Sequence, residues 1–517
     1  MESIQSSNTN GINVSYTYDD LNRLSSVVDN RLPSSNPTTY TYDDASNVAT
    51  VAYPNGLTST FTYDELNRLT ELSTPPIADY KYTLGLTGNR TNGTEQSGRT
   101  LQWGYNGIYQ LTNENITSDP ANNNGNNGSA TYTLDAVGNR TGASFNFSGF
   151  TPVFGSYNLN DQLSGETYDN NGNVTHAANG NNYVYDSEIH MIRMSNSTTT
   201  VNMTYDAFGN RVSKTATNTS GTTTTQYLVD DLNPTGYPQV VDELVGSIGS
   251  AAVQRTYTYG LQRISQDQVA GSVLSYYQYD GGGSVRQLTG STGQVTDSYE
   301  YDAFGNSFTK VGTTPNNYLY RGEQFDSDLG LYYLRARYYN PATGRFLSRD
   351  PEDGIATDPK TLHKYLYAGG DPANAIDPSG RADAGETGLT FALLSTAPVP
   401  ELTAIVGTAA SNALLATGIT DAIAAIEAAA NAGSAEEAVE ILINATKLII
   451  KTKPLVRVFL CSPLVFAYGF AEGQLILYAH AHGFNDLEVK GMEYVLDKGK
   501  DALKVACGAQ LLRYFKK

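Results

Sequence analysis

Over the first 380 residues, aromatic and polar positions alternate in a short phrase that keeps returning. It reads Tyr16-Thr-Tyr18-Asp19, Tyr40-Thr-Tyr42-Asp43, Tyr183-Val-Tyr185-Asp186, Tyr277-Gln-Tyr279-Asp280 and Tyr299-Glu-Tyr301-Asp302, with looser copies at Phe61-Thr-Tyr63-Asp64 and Met203-Thr-Tyr205-Asp206. Residues two apart in a strand share a face, so each phrase sets two rings on one side of a strand, and tyrosine is a good strand former. The Asp often leads into Gly-Asn, as in Asp135-Ala-Val-Gly138-Asn139-Arg140, Asp206-Ala-Phe-Gly209-Asn210-Arg211 and Asp302-Ala-Phe-Gly305-Asn306. Gly and Asn accept positive φ at low cost, so the chain can reverse there and return as a second strand. The predicted unit is a β-hairpin with one aromatic strand. Its Tyr-Asp positions lie 24, 21, 20 and 22 residues apart (18 to 42, 42 to 63, 185 to 205, 279 to 301). Hairpins stacked at such a period bury what one alone cannot. Stacking between neighbouring strands accounts for all of these tyrosines without any role in chemistry.

The pattern stops near residue 380. Residues 1–380 hold 33 of the 37 tyrosines, whereas residues 381–517 hold four tyrosines and 26 alanines. In the tail, residues 381–397 read as a linker, and the Ala-rich stretch 401–433 reads as helix from alanine's intrinsic preference. A second helix is predicted from Ser434 to about Ile450, opening on a capping-box-like Ser-x-x-Glu and closing among lysines; residues 490–515 read as an amphipathic helix. Residues 454–479 are apolar but interrupted by Arg457, Pro463, Glu472 and Gln474, so no run reaches the ~18 residues a spanning helix wants. A buried helical core is expected there, with no clear membrane span.

Charge narrows the function. The chain carries a net charge of −19, of which the tail contributes only −2. An acidic repeat region lacks the basic surface that meets phosphates, so nucleic acid is excluded as its partner. From Lys447 onward the tail has 11 basic and 6 acidic residues, which permits a nuclease or an anionic-membrane role without arguing for either. The two cysteines, Cys461 and Cys507, give no disulfide framework, and no Cys/His spacing suggests zinc, so neither metal nor cofactor is expected. His480-Ala-His482 with Asp486 and Glu488 has no diagnostic spacing and reads as a surface loop. Residues 1–8 lack a basic and an apolar segment, hence no classical export signal, and the chain opens close to a repeat, as a fragment or truncated product would.

The Tyr-Asp phrases with Gly-Asn-Arg turns resemble the YD repeats of RHS proteins, teneurins and the C components of insecticidal toxin complexes. A more specific resemblance lies in Tyr320-Arg-Gly-Glu-Gln-Phe-Asp-Ser-Asp-Leu-Gly330-Leu-Tyr-Tyr-Leu-Arg-Ala-Arg337-Tyr-Tyr-Asn-Pro341-Ala-Thr-Gly344-Arg345-Phe346-Leu-Ser-Arg-Asp350-Pro351, which is similar to the RHS-associated core. Asn374-Ala-Ile-Asp377-Pro-Ser-Gly380 is similar to that core's closing phrase. The resemblance covers about 380 of the 517 residues and implies a mainly β fold: a spiral shell of YD hairpins over 1–316, the core over 317–380 curling inward as a plug, and a variable α-helical domain over 381–517. It also implies that the shell encloses a toxin tail and that the core frees it by aspartyl self-cleavage.

By their places in these phrases, Asp350 and Asp377 match the family's two catalytic aspartates and Arg337 the arginine that assists them. Two carboxylates brought close cannot both ionise cheaply, so one keeps a proton as general acid while the other acts as base. A guanidinium can orient a carboxylate or hold an oxyanion. Asp377 follows Asp350 by 27 residues, a few more than the family pattern, with the excess assigned to the loop-like stretch 352–364. The cut is expected just after Gly380, within Gly380-Arg381-Ala382, although Arg381 stands where the family usually carries Leu. Asp371-Pro372 is assigned a structural role. Spacing alone is equally served by Asp-Pro turn residues.

The leading expectation is a secreted or cell-surface shell that encapsulates or presents a variable effector and releases it by aspartyl self-cleavage. Its candidate partners are an immunity protein for the tail and a secretion-system or carrier component. The alternatives are a non-enzymatic secreted adhesion protein and a degraded RHS remnant, the last suggested by the short repeat array.

Overall fold

A computed structural model describes residues 2–32, 36–120, 126–149, 151–246, 249–351 and 359–381. The predicted tail helices, both cysteines, the His480 cluster and Ala382 lie outside the described residues. Within them the fold is mainly β. Thirteen strands from Ser3–Gln5 to Arg140–Phe145 form one sheet and fourteen from Thr167–Tyr168 to Ser307–Val311 form a second. In both, every strand pairs antiparallel with its neighbour in sequence, so the topology is an unbroken meander. A third sheet holds Gln324–Asp326, Leu331–Leu334, Arg337–Asn340 and Arg345–Phe346. Helix is limited to single 3₁₀ turns among the described residues, such as Tyr320–Gly322 and Ala368–Gly370.

Each part of the repeated phrase has a separate task. The first tyrosine is buried, as at Tyr16, Tyr40, Tyr183, Tyr277 and Tyr299. The second reaches back to the preceding hairpin and donates its hydroxyl to a main-chain carbonyl there: Tyr42 to Leu24 (2.8 Å), Tyr205 to Met191 (2.8 Å), Tyr279 to Arg263 (2.7 Å) and Tyr301 to Val285 (3.1 Å). The Asp builds the turn. Its Oδ1 accepts the backbone N–H groups two and four residues on, as Asp64 does from Leu66 (2.9 Å) and Arg68 (3.0 Å), and Asp302 does from Phe304 (3.0 Å) and Asn306 (2.7 Å). Its Oδ2 takes the side chain of the fourth residue: Arg23 (2.8 Å), Asn47 (2.9 Å), Arg68 (2.7 Å) or Asn306 (2.9 Å). The left-handed residue lies one position earlier: Asn22 (φ 60°), Asn67 (φ 59°), Gly209 (φ 81°), Gly305 (φ 89°). The Asn of a Gly-Asn turn is thus there to close the carboxylate's bonds, and the glycine alone supplies the positive φ. One carboxylate satisfies two turn N–H groups that would otherwise compete for water.

All of these turns fall on one edge of their sheet, and the apolar residue at the third turn position shows where the strip meets itself. Leu21, Leu66, Val137, Phe208 and Leu232 point into solvent. In the last repeat Phe304 is buried instead, because the late turns run against the first sheet: Gly281 N–H donates to Tyr82 Oη (2.8 Å) and Ala303 N–H to Glu114 Oε2 (2.9 Å). Arg286 forks onto both oxygens of Glu95 (2.8 and 3.0 Å), and Asn55 Nδ2 donates to Gly290 O (3.0 Å). The facing surfaces of the sheets are therefore in direct contact, joined by one buried cluster that runs from Val14 and Tyr40 to Tyr277, Tyr299 and Tyr339. A cavity of about 70 Å³ between Glu95, Glu114, Arg286 and Asp302 is room for a few waters.

The third sheet sits across the turns. Tyr320, Tyr332 and Tyr339 donate their hydroxyls to the carbonyls of Ala303 (2.6 Å), Gly305 (3.1 Å) and Phe304 (2.7 Å). On its other side Arg211 pairs with Asp326 (3.0 Å), and Leu331, Tyr333 and Tyr338 join the buried cluster of Met191, Met194 and Met203.

Two outcomes follow. Tyr279→Phe should cost about 1–3 kcal/mol in a denaturant titration, because it leaves the buried Arg263 carbonyl without its donor. The second concerns pH. Burial, then the neighbouring Asp302 carboxylate, pushes Glu114 up to about 8, and burial pushes Asp302 up to about 6. Both folded values lie above the usual carboxylate range, so this contribution to stability is full below about pH 4 and is lost as pH rises toward 8, with a slope near 1.4 kcal/mol per pH unit for each proton held only by the folded state. Thermal unfolding should fall from pH 5 to pH 8.5, and Glu114→Gln should flatten that fall.

Candidate functional site

The candidate site forms where three segments of the core converge. Arg337 begins the strand Arg337–Asn340 and is buried, with its guanidinium 3.6 Å from the Phe346 ring centroid on the next strand. A guanidinium lying on an aromatic face is weakly hydrated and keeps its in-plane donors free to be shared. Asp350 follows that hairpin, and its N–H donates to Lys364 O (2.8 Å), a carbonyl that also accepts Arg337 Nη1 (3.3 Å). Asp377 lies in the closing phrase and is buried.

The three charged groups predicted from the sequence meet. Arg337 Nη2 is 2.8 Å from Asp350 Oδ2 and 3.3 Å from Asp377 Oδ2, so both carboxylates reach one nitrogen. Exposure separates them: the side chain of Asp350 is 16% accessible and that of Asp377 is 0%. The same arginine donates through Nε to the carbonyl of Gly380. Asp377 Oδ1 accepts the N–H of Arg381 (3.1 Å) and the hydroxyl of Ser379 (3.1 Å). Both ends of the Gly380–Arg381 peptide are thereby engaged, the carbonyl oxygen by a cation and the amide nitrogen by a carboxylate. Asp371 has the structural role assigned to it: it is buried, and its carboxylate accepts Asn374 Nδ2 (2.9 Å) and Asn89 Nδ2 (3.0 Å). Part of the loop between the two aspartates, residues 352–358, lies outside the described residues.

Sequence reasoning missed four participants. Ser379 bridges Asp377 and the Arg381 amide. Phe346 supports the guanidinium. Arg335 and Glu323 hold the closing phrase from below through Pro378 O. Nothing local in the sequence marks Arg335 or Glu323 for this task. No group of His, Cys, Asp and Glu suited to a metal occurs among the described residues, and no helix among them is long and apolar enough to cross a membrane.

Comparison with known proteins agrees with the repeat geometry. The RHS Repeat family model matches residues 42–75, the hairpins around Tyr42-Asp43 and Tyr63-Asp64. The chain is 32% identical over 263 residues to the tRNA nuclease WapA of Bacillus subtilis, covering 48% of this chain and 11% of that protein. It is 43% identical over 61 residues to the toxin protein Tse5 of Pseudomonas aeruginosa, covering 12% of this chain and 4% of that protein. The chain thus spans about a tenth or less of the length of these relatives. In fold it is similar to the crystal structure of TcdB2-TccC3-Cdc42, with a TM-score of 0.57 at 19% identity over 75% of this chain and 21% of that one. Family model, relatives and shared β architecture agree that the chain carries RHS (YD) repeats and is similar to RHS-repeat proteins.

Proposed function

We propose that the core of this protein hydrolyses its own Gly380–Arg381 peptide bond and so releases residues 381–517 as an effector. The observation that carries this reading is the engagement of both atoms of one peptide: the Arg337 guanidinium at the Gly380 oxygen and the Asp377 carboxyl group at the Arg381 nitrogen. Asp350, the accessible carboxylate of the pair, serves as base toward water. The water oxygen bonds to the Gly380 carbonyl carbon and its proton passes to Asp350. Negative charge gathers on the carbonyl oxygen, where the Arg337 guanidinium stabilises it. As the C–N bond breaks, its electron pair stays on the Arg381 nitrogen, which takes a proton from the carboxyl of Asp377. The products are a Gly380 carboxylate and an Arg381 amine. One of the two carboxyls must hold a proton at the start, the usual division of labour in a close carboxyl pair.

The repeats, in this reading, encapsulate or present the tail until it is cut free. In this reading the protein is secreted or held at the cell surface, with a carrier or secretion component delivering it and an immunity protein guarding against the freed tail. WapA acts on tRNA and Tse5 is a toxin by name; an activity of that class for residues 381–517 is consistent with the basic excess after Lys447. A second reading, a surface scaffold that never cuts, is favoured by the same ion pairs, since a purely structural core would also pair Arg337 with both aspartates. The similarity to Salivary gland surface protein 1 of Aedes aegypti, 37% over 102 residues, is in keeping with it.

Expression of the full chain followed by a denaturing gel separates the readings. Wild type should yield two bands, and Asp350→Asn and Asp377→Asn should each yield one. A single band from all three ends the protease reading and leaves the scaffold. Arg337→Ala should also abolish cutting, and it should cost about 3–5 kcal/mol in denaturant because it leaves the buried Asp377 without its cation. Asp350→Asn, at the more accessible partner, should cost less.

A further inference from the structure

We propose that the tight turn Leu334–Arg337 is a register-setting cradle for the closing phrase, with Arg335 as its positioning residue and a slot that admits only glycine at position 380. This rests on the self-cleavage reading above for its consequence, and on geometry of its own for its existence.

Three consecutive residues of the turn donate to three consecutive carbonyls. Arg335 Nη1 donates to Pro378 O (2.5 Å), Ala336 N–H to Ser379 O (3.2 Å), and Arg337 Nε to Gly380 O. A match of successive donors to successive acceptors fixes the phrase along its length, because a slip by one residue breaks all three bonds at once. All three acceptors are main-chain oxygens, so the grip itself is indifferent to side chains. Selectivity enters at the last position. Gly380 has φ +69°, and a Cβ built on it would lie 2.3 Å from Leu334 O and 3.0 Å from Arg337 N, both backbone atoms that cannot swing aside. Any side chain would lift the Gly380 carbonyl away from Arg337.

Arg335 touches neither the two aspartates' bond to Arg337 nor the Gly380–Arg381 peptide; it acts through Pro378. The structure holds it firmly in that task. Its Nη1 meets both oxygens of Glu323 (3.0 and 2.9 Å), its Nε donates to Pro238 O (3.0 Å), and its backbone sits at φ +58°, a conformation an arginine keeps only when its surroundings impose it. The Glu323 pair is only 14% accessible on either side. Pro238 belongs to the second sheet's approach to the strand Gln239–Val245, so Arg335 also ties the cradle to the repeats.

The test uses the full chain and two readouts. In wild-type background, Arg335→Gln should slow cutting on the order of a hundredfold, the penalty for ångström-scale misplacement of a reacting group, and should spread the cut over more than one bond as read by fragment masses. Arg335→Lys, which keeps a cation for Glu323 and Pro378, should restore a single cut at reduced rate. Gly380→Ala should remove the cut at this bond. In Asp350→Asn background, where no chain is cut, hydrogen exchange across residues 377–381 should be faster with Arg335→Gln than without it. A single cut at the wild-type rate together with unchanged exchange in Arg335→Gln overturns the cradle. Should wild type itself remain whole, the self-cleavage reading fails by that result alone, and the exchange comparison still decides whether the cradle exists.

Discussion

Most repeats depend on one side-chain oxygen, usually an Asp carboxylate, accepting two backbone N–H groups across a four-residue reach. With that bond made, the chain reverses without stranding polar groups. The bulge it leaves displaces the register by one residue at each Tyr-Asp junction, as between Thr17 and Tyr18 or Glu300 and Tyr301. The displaced tyrosine then lies where its hydroxyl reaches the preceding hairpin. Turn and inter-repeat staple are consequences of the same interaction, and the meander grows by repeating it. At the carboxyl end the same Asp-closed turn, now Asp302 to Asn306, becomes the surface on which the core's tyrosines are seated.

The core inverts the logic of the repeats. In the repeats, charge is spent locally, each Asp on its own turn. In the core, Arg337 serves groups distant along the chain: Asp350, Asp377 and the Gly380 carbonyl. A buried guanidinium with that many acceptors is what makes a fully buried aspartate tolerable, and it places the carboxylates beside the Gly380–Arg381 peptide. Stability and the proposed chemistry therefore draw on the same cation. The Glu114–Asp302 pair is a third style of charge placement, two acids from different sheets meeting at the seam, where burial favours the protonated form.

The hairpins were legible in the sequence because their determinants are local: alternation of rings, an Asp, and a Gly or Asn at a fixed offset. The order of strands followed, since a meander needs no long-range choice. The meeting of Arg337, Asp350 and Asp377 was legible only through resemblance of the surrounding phrases, for nothing in their spacing distinguishes a carboxyl pair from two Asp-Pro turns. The second tyrosine's hydroxyl bond was not read, because it joins consecutive hairpins through a main-chain carbonyl that carries no side-chain signature. The direct contact between sheets was hidden for a related reason. It is set by where Glu95, Asn55 and Tyr82 fall opposite partners some two hundred residues away. Arg335 carried no such signal either, since its reach to the closing phrase is set by the tight turn after Leu334, where its φ is +58°.

The central claim is that water, placed by two aspartates and one arginine, divides the chain between Gly380 and Arg381. Intact mass measurement of the protein purified from medium enriched in ¹⁸O water tests it most directly. The account predicts two species whose masses meet at that bond, with one solvent-derived oxygen in the new carboxylate of the fragment ending at Gly380. A single species with the mass of the whole chain would contradict it.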